Sequence, residues 1–580
     1  DGMEQAIWAA RTDTGQIWRV AEGNDPVLSP DGQWILIVKD GLIYSAPLIP
    51  PAVPWAIPEP ELLFRAAGQN GSPRWSPDGT RIAFVTRRND HSFIGVFDTI
   101  NRKITWIAPS VDRDSDPRWS SDGTKIVFQR RPGLQYGVAD SRRYWGRRRG
   151  PVTDMAVWMA DTEKGTAKEI WRFPEDEPRF YSLRNFQVTA NDRILFTAEH
   201  DNWNHVFSMS FSGGEPIDLT PGEAFVEHTG ISSDGKTLFF SSNLADIHGR
   251  HVWKVTTDGS GKAVQLTTEA TIGTYPVALA SGDSVAFLYS TAVHPFSVAK
   301  VPVNGGEIEV IAPETLPAEY PMDELVIPEL VVVKAPDGLE IPCQLFLPKD
   351  AKPGDKRPGV IHTHGGPIRQ MLLGWHYMEC YSEAYGMHQY FANKGYVVLS
   401  INYRSGIGYG RSFREAPDTG REGAAEYQDI LAGAKYLQSR PEVDPERIGK
   451  WGLSYGGLLT AMALARNSNI FKVGVDMAGV HDWSQRGRLT ESQRKLARES
   501  SPVAFFETWT SPVLFIHGDD DRNVDFQQTT DIVQKLRAKG DVHIELMIAP
   551  DEPHEFMLFK NRMDAYHRTF EFIDRYIGDK

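Results

Sequence analysis

A short phrase recurs through the first half of this chain, and a recurring unit limits the fold more than composition can. Between residue 1 and about residue 315, a turn carrying Asp-Gly precedes a β-rich run. It reads Ser29-Pro30-Asp31-Gly32 ahead of Trp34-Ile35-Leu36-Ile37-Val38. It returns as Trp75-Ser76-Pro77-Asp78-Gly79 and as Trp119-Ser120-Ser121-Asp122-Gly123, each before an apolar run. Weaker copies follow at Asn191-Asp192, Ser233-Asp234-Gly235 and Gly282-Asp283. Counted Asp to Asp, the spacings are 47, 44, 70, 42 and 49 residues. Most of these fit a four-stranded propeller blade of about 40–50 residues. Asp-Gly suits a two-residue hairpin turn, which needs the positive φ that Gly and Asp tolerate. The expectation is an N-terminal β-propeller of about seven blades, one of them degenerate or closed by both chain ends. Unrelated hairpins in a β-sandwich are the alternative, and six copies near one period argue against it.

The one long interval holds Arg142-Arg143-Tyr144-Trp145-Gly146-Arg147-Arg148-Arg149. This stretch is basic within a chain of net charge −14. Its plain reading is a solvated loop. Its sharper reading is a substrate-facing loop, in which Arg147 and Arg148 offer bidentate donors to a carboxylate.

After Pro313 the texture changes. Pro317, Pro321 and Pro328 punctuate a linker, and a hairpin follows with its turn at Asp337-Gly338. Short apolar strands are then expected at 359–363, 396–402, 447–452, 473–477, 513–517 and 544–548. Helices are expected at 424–438, 455–466, 527–539 and 561–577. Such alternation predicts a mostly parallel sheet covered on both faces, with ligands bound beyond the strand carboxyl ends. The expected division is a propeller over 1–318 and an α/β domain over 319–580.

The acidic balance argues against nucleic-acid or acidic-membrane partners, which require a positive field. Only two cysteines occur, Cys343 and Cys380, so a disulfide framework and a Cys-based zinc site are excluded. Two free thiols are favoured over one bridge. No run of about 18 apolar residues exists, so no transmembrane helix is expected. The opening Asp1-Gly2-Met3 reads as that of a trimmed or processed product. The compartment stays open between cytoplasmic and periplasmic or secreted.

Gly452-Leu453-Ser454-Tyr455-Gly456-Gly457 contains Gly-x-Ser-x-Gly. Alone the pattern is weak. Here an expected strand runs into it and an expected helix leaves it, which is the setting of a nucleophile elbow. A serine hydroxyl near neutral pH needs an adjacent base, and that base needs an orienting acid. Both occur downstream at strand ends, in the chain order this fold uses. Gly518-Asp519-Asp520-Asp521 follows one strand, and Ala549-Pro550-Asp551-Glu552-Pro553-His554 follows the next. Ser454 is therefore the expected nucleophile and His554 the expected base. The residues alone leave the acid open among Asp519, Asp520 and Asp521. Asp519-x-Asp521-x-Asn523-x-Asp525 mimics the start of a calcium loop but lacks its later Gly and Glu, so no metal is expected. Gly406-Ile407-Gly408-Tyr409-Gly410 lacks the full dinucleotide spacing and reads as a structural loop, so no cofactor is expected. His364-Gly365-Gly366-Pro367 follows an early strand, where this fold draws one oxyanion donor; the second is the amide of Tyr455.

Together, His364 to Pro367, Asn402-Tyr403-Arg404, Gly408 to Gly410, Gly452 to Gly457, His517-Gly518 to Val524, and Asp551 to Phe556 resemble the prolyl oligopeptidase family of serine peptidases. That family pairs a β-propeller with an α/β-hydrolase, and the resemblance covers essentially the whole chain. It implies that Asp521 is the acid. The run Asp521 to Gln528 is similar to the dipeptidyl-peptidase-IV branch, by which Asn523 would bind a substrate carbonyl. His364 stands where that branch has its oxyanion tyrosine, and its propeller Glu-Glu pair has no matching context. His364 to Pro367 and Val480-His481-Asp482-Trp483 look more like acylaminoacyl peptidases. There, Val480 and Trp483 would line the pocket for the residue before the scissile bond, and Gly366 would serve the oxyanion.

The function expected is hydrolysis of short peptides through an acyl-enzyme, with the propeller as a size filter. A carboxylesterase on the same triad is one alternative. A propeller binding protein with an inactive hydrolase domain is another. A homo-oligomer is compatible with the sequence.

Overall fold

The computed structural model describes residues 5–579 apart from 12–13, 15, 51–58, 135–154, 174–182, 200, 269, 314 and 488. The basic stretch 142–149, with Arg147 and Arg148, lies outside the described residues.

The first half is a succession of antiparallel sheets forming a β-propeller. Among the described residues, a two-stranded sheet, Ala6–Ala10 with Ile17–Glu22, is followed by six units of four strands. These span 24–62, 69–107, 113–172, 184–218, 226–265 and 272–312. The second and third join edge to edge where Arg113 pairs in parallel with Ser92. Runs such as Leu36-Ile37, Ile82 to Val85 and Leu238 to Phe240 are buried without alternation, because neighbouring sheets cover both faces.

The repeated phrase builds its turn differently from the expectation. Ser29 donates its hydroxyl to Asp31 Oδ1 and accepts the Trp34 amide, while Gly32 N–H donates back to the Ser29 carbonyl. Gly32 has φ 68°, and Asp31 stays at negative φ. The connection therefore runs from Pro30 to Gln33 with a single left-handed residue, rather than as a two-residue turn. In the fourth copy, Thr189, Asn191 and Asp192 take the Ser, Asp and Gly places, with Asp192 at φ 54°. In the sixth, Gly282 N–H returns to the Leu279 carbonyl. Counted on the left-handed residue, the spacings become 47, 44, 69, 43 and 47.

The second half is an α/β-hydrolase. Its sheet comprises β1 (Glu329–Lys334), β2 (Glu340–Phe346), β3 (Arg357–Thr363), β4 (Val397–Ile401), β5 (Val443–Leu453), β6 (Phe471–Met477), β7 (Val513–Gly518) and β8 (Ile544–Ala549). The spatial order is β1-β2-β4-β3-β5-β6-β7-β8, antiparallel up to the β2–β4 pair and parallel beyond it. Its main helices are α1 (Glu379–Asn393), α2 (Glu426–Ser439), α3 (Tyr455–Asn467), α4 (Glu491–Glu499), α5 (Gln527–Lys539) and α6 (Phe559–Ile577). One core joins α2, α3 and α5 to the sheet through Ile430, Leu458 and Ile532. The other joins α1 and α6 through Phe391 and Phe572. Helices α1 and α4 were not expected from the sequence. Cys380, Ser382, Gly386 and His388 give α1 poor local propensity, and burial of Ala384, Tyr385 and Phe391 against the sheet sustains it.

The two halves dock through the segments after β3 and β4. Gln370 donates to the Ile247 carbonyl at 2.9 Å, and Tyr385 to that of Ala292 at 2.8 Å. Arg414 forks onto Glu199, with one N–O distance of 2.7 Å. Asn243 donates to the Gly408 carbonyl at 2.7 Å. The Gly408 to Gly410 loop is thus a docking element. At Gly410, φ is +85° and an added Cβ would lie 2.2 Å from Asn202 Nδ2. Gly410→Ala is expected to destabilise the docked state by about 1–3 kcal/mol. Calorimetry should show the unfolding endotherm shifting down or splitting in two; an unchanged endotherm would refute the role.

Candidate active site

Ser454 sits between β5 and α3 at φ 61°, ψ −116°. A β-strand entering a helix without a loop forces such a turn, and it costs about 1–3 kcal/mol. Neighbouring glycines let it close. A Cβ on Gly452 would lie 2.5 Å from the Thr363 carbonyl oxygen, and one on Gly456 would lie 2.0 Å from the same atom. Ser454 N–H donates to the Met477 carbonyl at 2.7 Å, and its own carbonyl accepts from Leu458 at 3.0 Å. The serine therefore projects from a backbone held on both sides.

The loop after β8 carries His554, whose Nδ1 lies 2.6 Å from Asp521 Oδ2. Of the three adjacent acids, Asp521 is the one the structure places against this histidine. Its Oδ1 accepts the amides of Asn523 and Val524 at 2.8 Å each, and Oδ2 also lies 3.0 Å from His517 Nε2. Burial alone would raise this carboxyl, but His517, His554 and the Val524 amide hold it well below the usual range. Asp519 instead accepts the Asp551 amide at 2.7 Å, and Asp520 pairs with Arg522 at 3.1 Å.

The segment His364 to Pro367 presses on the serine. A Cβ on Gly365 would lie 3.2 Å from Ser454 Cβ and 3.2 Å from the Tyr381 hydroxyl. Gly366 has φ +111° and is exposed. His364 is buried, its ring stacked 4.4 Å from that of Tyr403 and its Nδ1 2.8 Å from the Gly365 carbonyl. Burial pushes its pKa down to about 4. Tyr455 opens α3, where backbone N–H groups and the helix dipole favour negative charge. Its hydroxyl donates to buried Glu426 at 2.7 Å.

The expected substrate contacts fall together. Val480 is buried, and the half-buried Trp483 ring lies 6.2 Å from that of Tyr455. Asn523 is exposed and its carbonyl accepts from Arg486 at 2.6 Å. The Arg486 guanidinium lies 5.9 Å from the Trp483 ring. Both cysteines are free thiols. Among the described residues no three His, Cys, Asp or Glu side chains are grouped to hold a metal ion, and no helix is long and apolar enough to cross a membrane.

The chain also matches known sequence families. Residues 384–580 match the prolyl oligopeptidase family, and residues 145–294 match the dipeptidyl peptidase IV (DPP IV) N-terminal region. The prolyl oligopeptidase family match therefore falls on the part of the chain that holds Ser454, Asp521 and His554. One relative, a probable dipeptidyl-aminopeptidase B of Aspergillus terreus, is 26% identical over 451 residues, covering 72% of this chain and 48% of that protein. The chain thus spans about half the length of the curated relatives it matches. A puromycin-hydrolyzing peptidase of Mycobacterium tuberculosis superposes with TM-score 0.73 at 19% identity, over 99% of this chain and 89% of the other. An acylaminoacyl peptidase of Pyrococcus horikoshii gives 0.67 at 19% identity, over 99% and 92%. At these identities the likeness shows the fold, a propeller with an α/β-hydrolase.

Several residues at the site escaped the sequence. His517 was legible only as part of a motif, not as a second partner of Asp521. Glu552 is buried and accepts the Met557 and Leu558 amides and the Asn561 side chain, fixing the loop that carries His554. Glu227, on the propeller, accepts from Arg250 at 2.8 Å and from the Tyr377 hydroxyl across the domain contact. Burial opposes its charge, but Arg250, His228 and Tyr377 hold its carboxyl below the ordinary value.

Lys450, on β5 beneath the elbow, is fully buried and donates to Thr363 Oγ1 at 2.6 Å. Burial pushes its pKa down to about 7, against the pull of Asp476. The unfolded chain then holds more protons than the folded one between pH 7 and about 10.4, so stability rises with pH through that window. Lys450→Met is expected to stabilise the protein at pH 6 by about 1–4 kcal/mol. The gain should shrink toward pH 10 in urea titrations; a gain independent of pH would show that burial of the charge is not the cause.

Proposed function

We propose that this chain is a serine peptidase that hydrolyses short peptides through an acyl-enzyme. The observation that carries the reading is the strained Ser454 at a strand–helix elbow, in a chain whose His554 is oriented by an ionised, four-donor Asp521. Ser454 Oγ attacks the scissile carbonyl as His554 Nε2 takes its proton. The amides of Tyr455 and Gly366 hold the oxyanion. His554 then passes the proton to the leaving amine and the C–N bond breaks. Water repeats the sequence to free the acid. Asp521 keeps Nδ1 protonated and stabilises the imidazolium without accepting its proton.

Val480 and Trp483 would line the pocket for the residue before the scissile bond, and Asn523 would bind a substrate carbonyl. The propeller, taken as 1–318 with the hydrolase as 319–580, would limit access to short chains. Relatives named as dipeptidyl-aminopeptidase and neighbours named as acylaminoacyl and puromycin-hydrolyzing peptidases support peptide-like substrates.

Ser454→Ala and His554→Ala should each lower turnover by several orders of magnitude with folding intact, and the double variant should be little worse than either. Asp521→Asn should cost on the order of 10⁴ in rate, through the wrong histidine tautomer. Asp519→Asn should cost far less. Profiling a defined peptide mixture, with fluorophosphonate labelling of Ser454, measures these outcomes. Retained cleavage by Ser454→Ala would overturn the assignment, and hydrolysis of acyl esters without peptides would replace it by an esterase.

A further inference from the structure

A cavity of about 370 Å³ opens beside His554, and neither Val480, Trp483 nor Asn523 lines it. That volume lies within the range of ligand pockets, roughly 300–1,000 Å³. Its wall includes Leu453, the residue before the nucleophile, with Ala478, Ile516 and Phe556 as apolar surface. Its rim carries Glu379, Glu383 and Glu555 against a single Arg562. Arg562 is shared between Glu379 and Glu383, at 2.9 Å from the latter, and Glu383 also accepts the Tyr566 hydroxyl at 3.0 Å. Three carboxylates facing one guanidinium leave the rim negative. Negative charge above an apolar floor complements a side chain with a methylene stem and a cationic head.

We infer that this cavity receives the side chain of the first leaving-group residue and favours lysine or arginine there. The inference rests on the reading of Ser454 and His554 as nucleophile and base. His554 is the group that protonates the leaving amine, so the residue bearing that amine lies against the His554 wall when the C–N bond breaks. Leu453 leaves that wall open where a bulkier side chain would fill it. The lysine stem packs on Leu453 and Phe556, and its ammonium lies among the rim carboxylates. The acyl half of the substrate lies outside this cavity, by Trp483. The released product is a peptide or amino acid with a cationic first residue.

The test uses peptide pairs that the protein cleaves, identical except for lysine or norleucine just after the scissile bond. Norleucine keeps the apolar stem and lacks the charge. In low salt, kcat/KM for lysine should exceed that for norleucine by about five- to tenfold, and the ratio should fall toward about two at 0.5 M salt as the rim is screened. In Glu379→Gln/Glu555→Gln the ratio should approach one. The ratio is taken within each protein, so a general loss of activity cancels. If the double variant does not fold, the salt series on the unaltered protein decides alone. A ratio near one in low salt, a preference for norleucine, or a ratio unmoved by salt and by the substitutions overturns the cationic subsite while leaving the triad standing. Failure of Ser454 to label with a fluorophosphonate overturns the triad and the subsite together.

Discussion

The carbonyl of Thr363 is the fixed point around which the catalytic half is arranged. It ends β3 and faces two positions of the elbow at distances that no Cβ could occupy, Gly452 at 2.5 Å and Gly456 at 2.0 Å. Only because those positions are bare can β5 run directly into α3 beside β3. That closeness brings the His364 to Pro367 segment, which leaves β3 next, against Ser454. The Thr363 hydroxyl also accepts from Lys450, so the same residue joins the strand pair through backbone contact and side chain. The strain at Ser454 persists because neighbours on both sides over-determine it, not because the serine itself favours that conformation.

The electrostatic design follows a single rule. Charges that must persist are surrounded by donors. Asp521 has four, and Glu552 has three that close the loop carrying His554. Where burial is not so matched it weighs against charge, as at His364, pushed down to about 4, and at Lys450, pushed down to about 7. A histidine at position 364 thus brings to the site an uncharged ring stacked on Tyr403.

How much of this was legible depended on whether a feature is local. The propeller was, because a Ser-x-Asp-Gly turn writes itself into consecutive residues. Its register slipped where Asn191-Asp192 and Ser281-Gly282 spread the same roles over different side chains. Six of the eight strands of the second sheet read as short apolar runs, and the other two as a hairpin around Asp337-Gly338. Helix α1 did not read, since its stability comes from a sheet distant in sequence. For the same reason Glu552, Glu227 and the cavity beside His554 were invisible: each is an encounter between segments, and periodicity carries no trace of an encounter. Among the three acids, pattern alone could not choose. The geometry places Asp521, whose backbone turn feeds two amides to one oxygen, against His554.

The docking segment after β3 begins at Gln370, three residues beyond Pro367. Gln370, Trp375 and Tyr385 all bond propeller backbone or are bonded by propeller side chains. The His364 to Pro367 segment and the domain contact are therefore one continuous piece of chain, with no hinge between them long enough to separate their movements. Excising the catalytic half as a stand-alone reagent would strip hydrogen-bond partners from Gln370 and Tyr385 and leave the backbone next to Gly366 without its outer support. For protein engineering, the two halves make a poor set of interchangeable parts: a foreign propeller would have to reproduce the carbonyls of Ile247 and Ala292 in place before the loop on the other side could keep its shape.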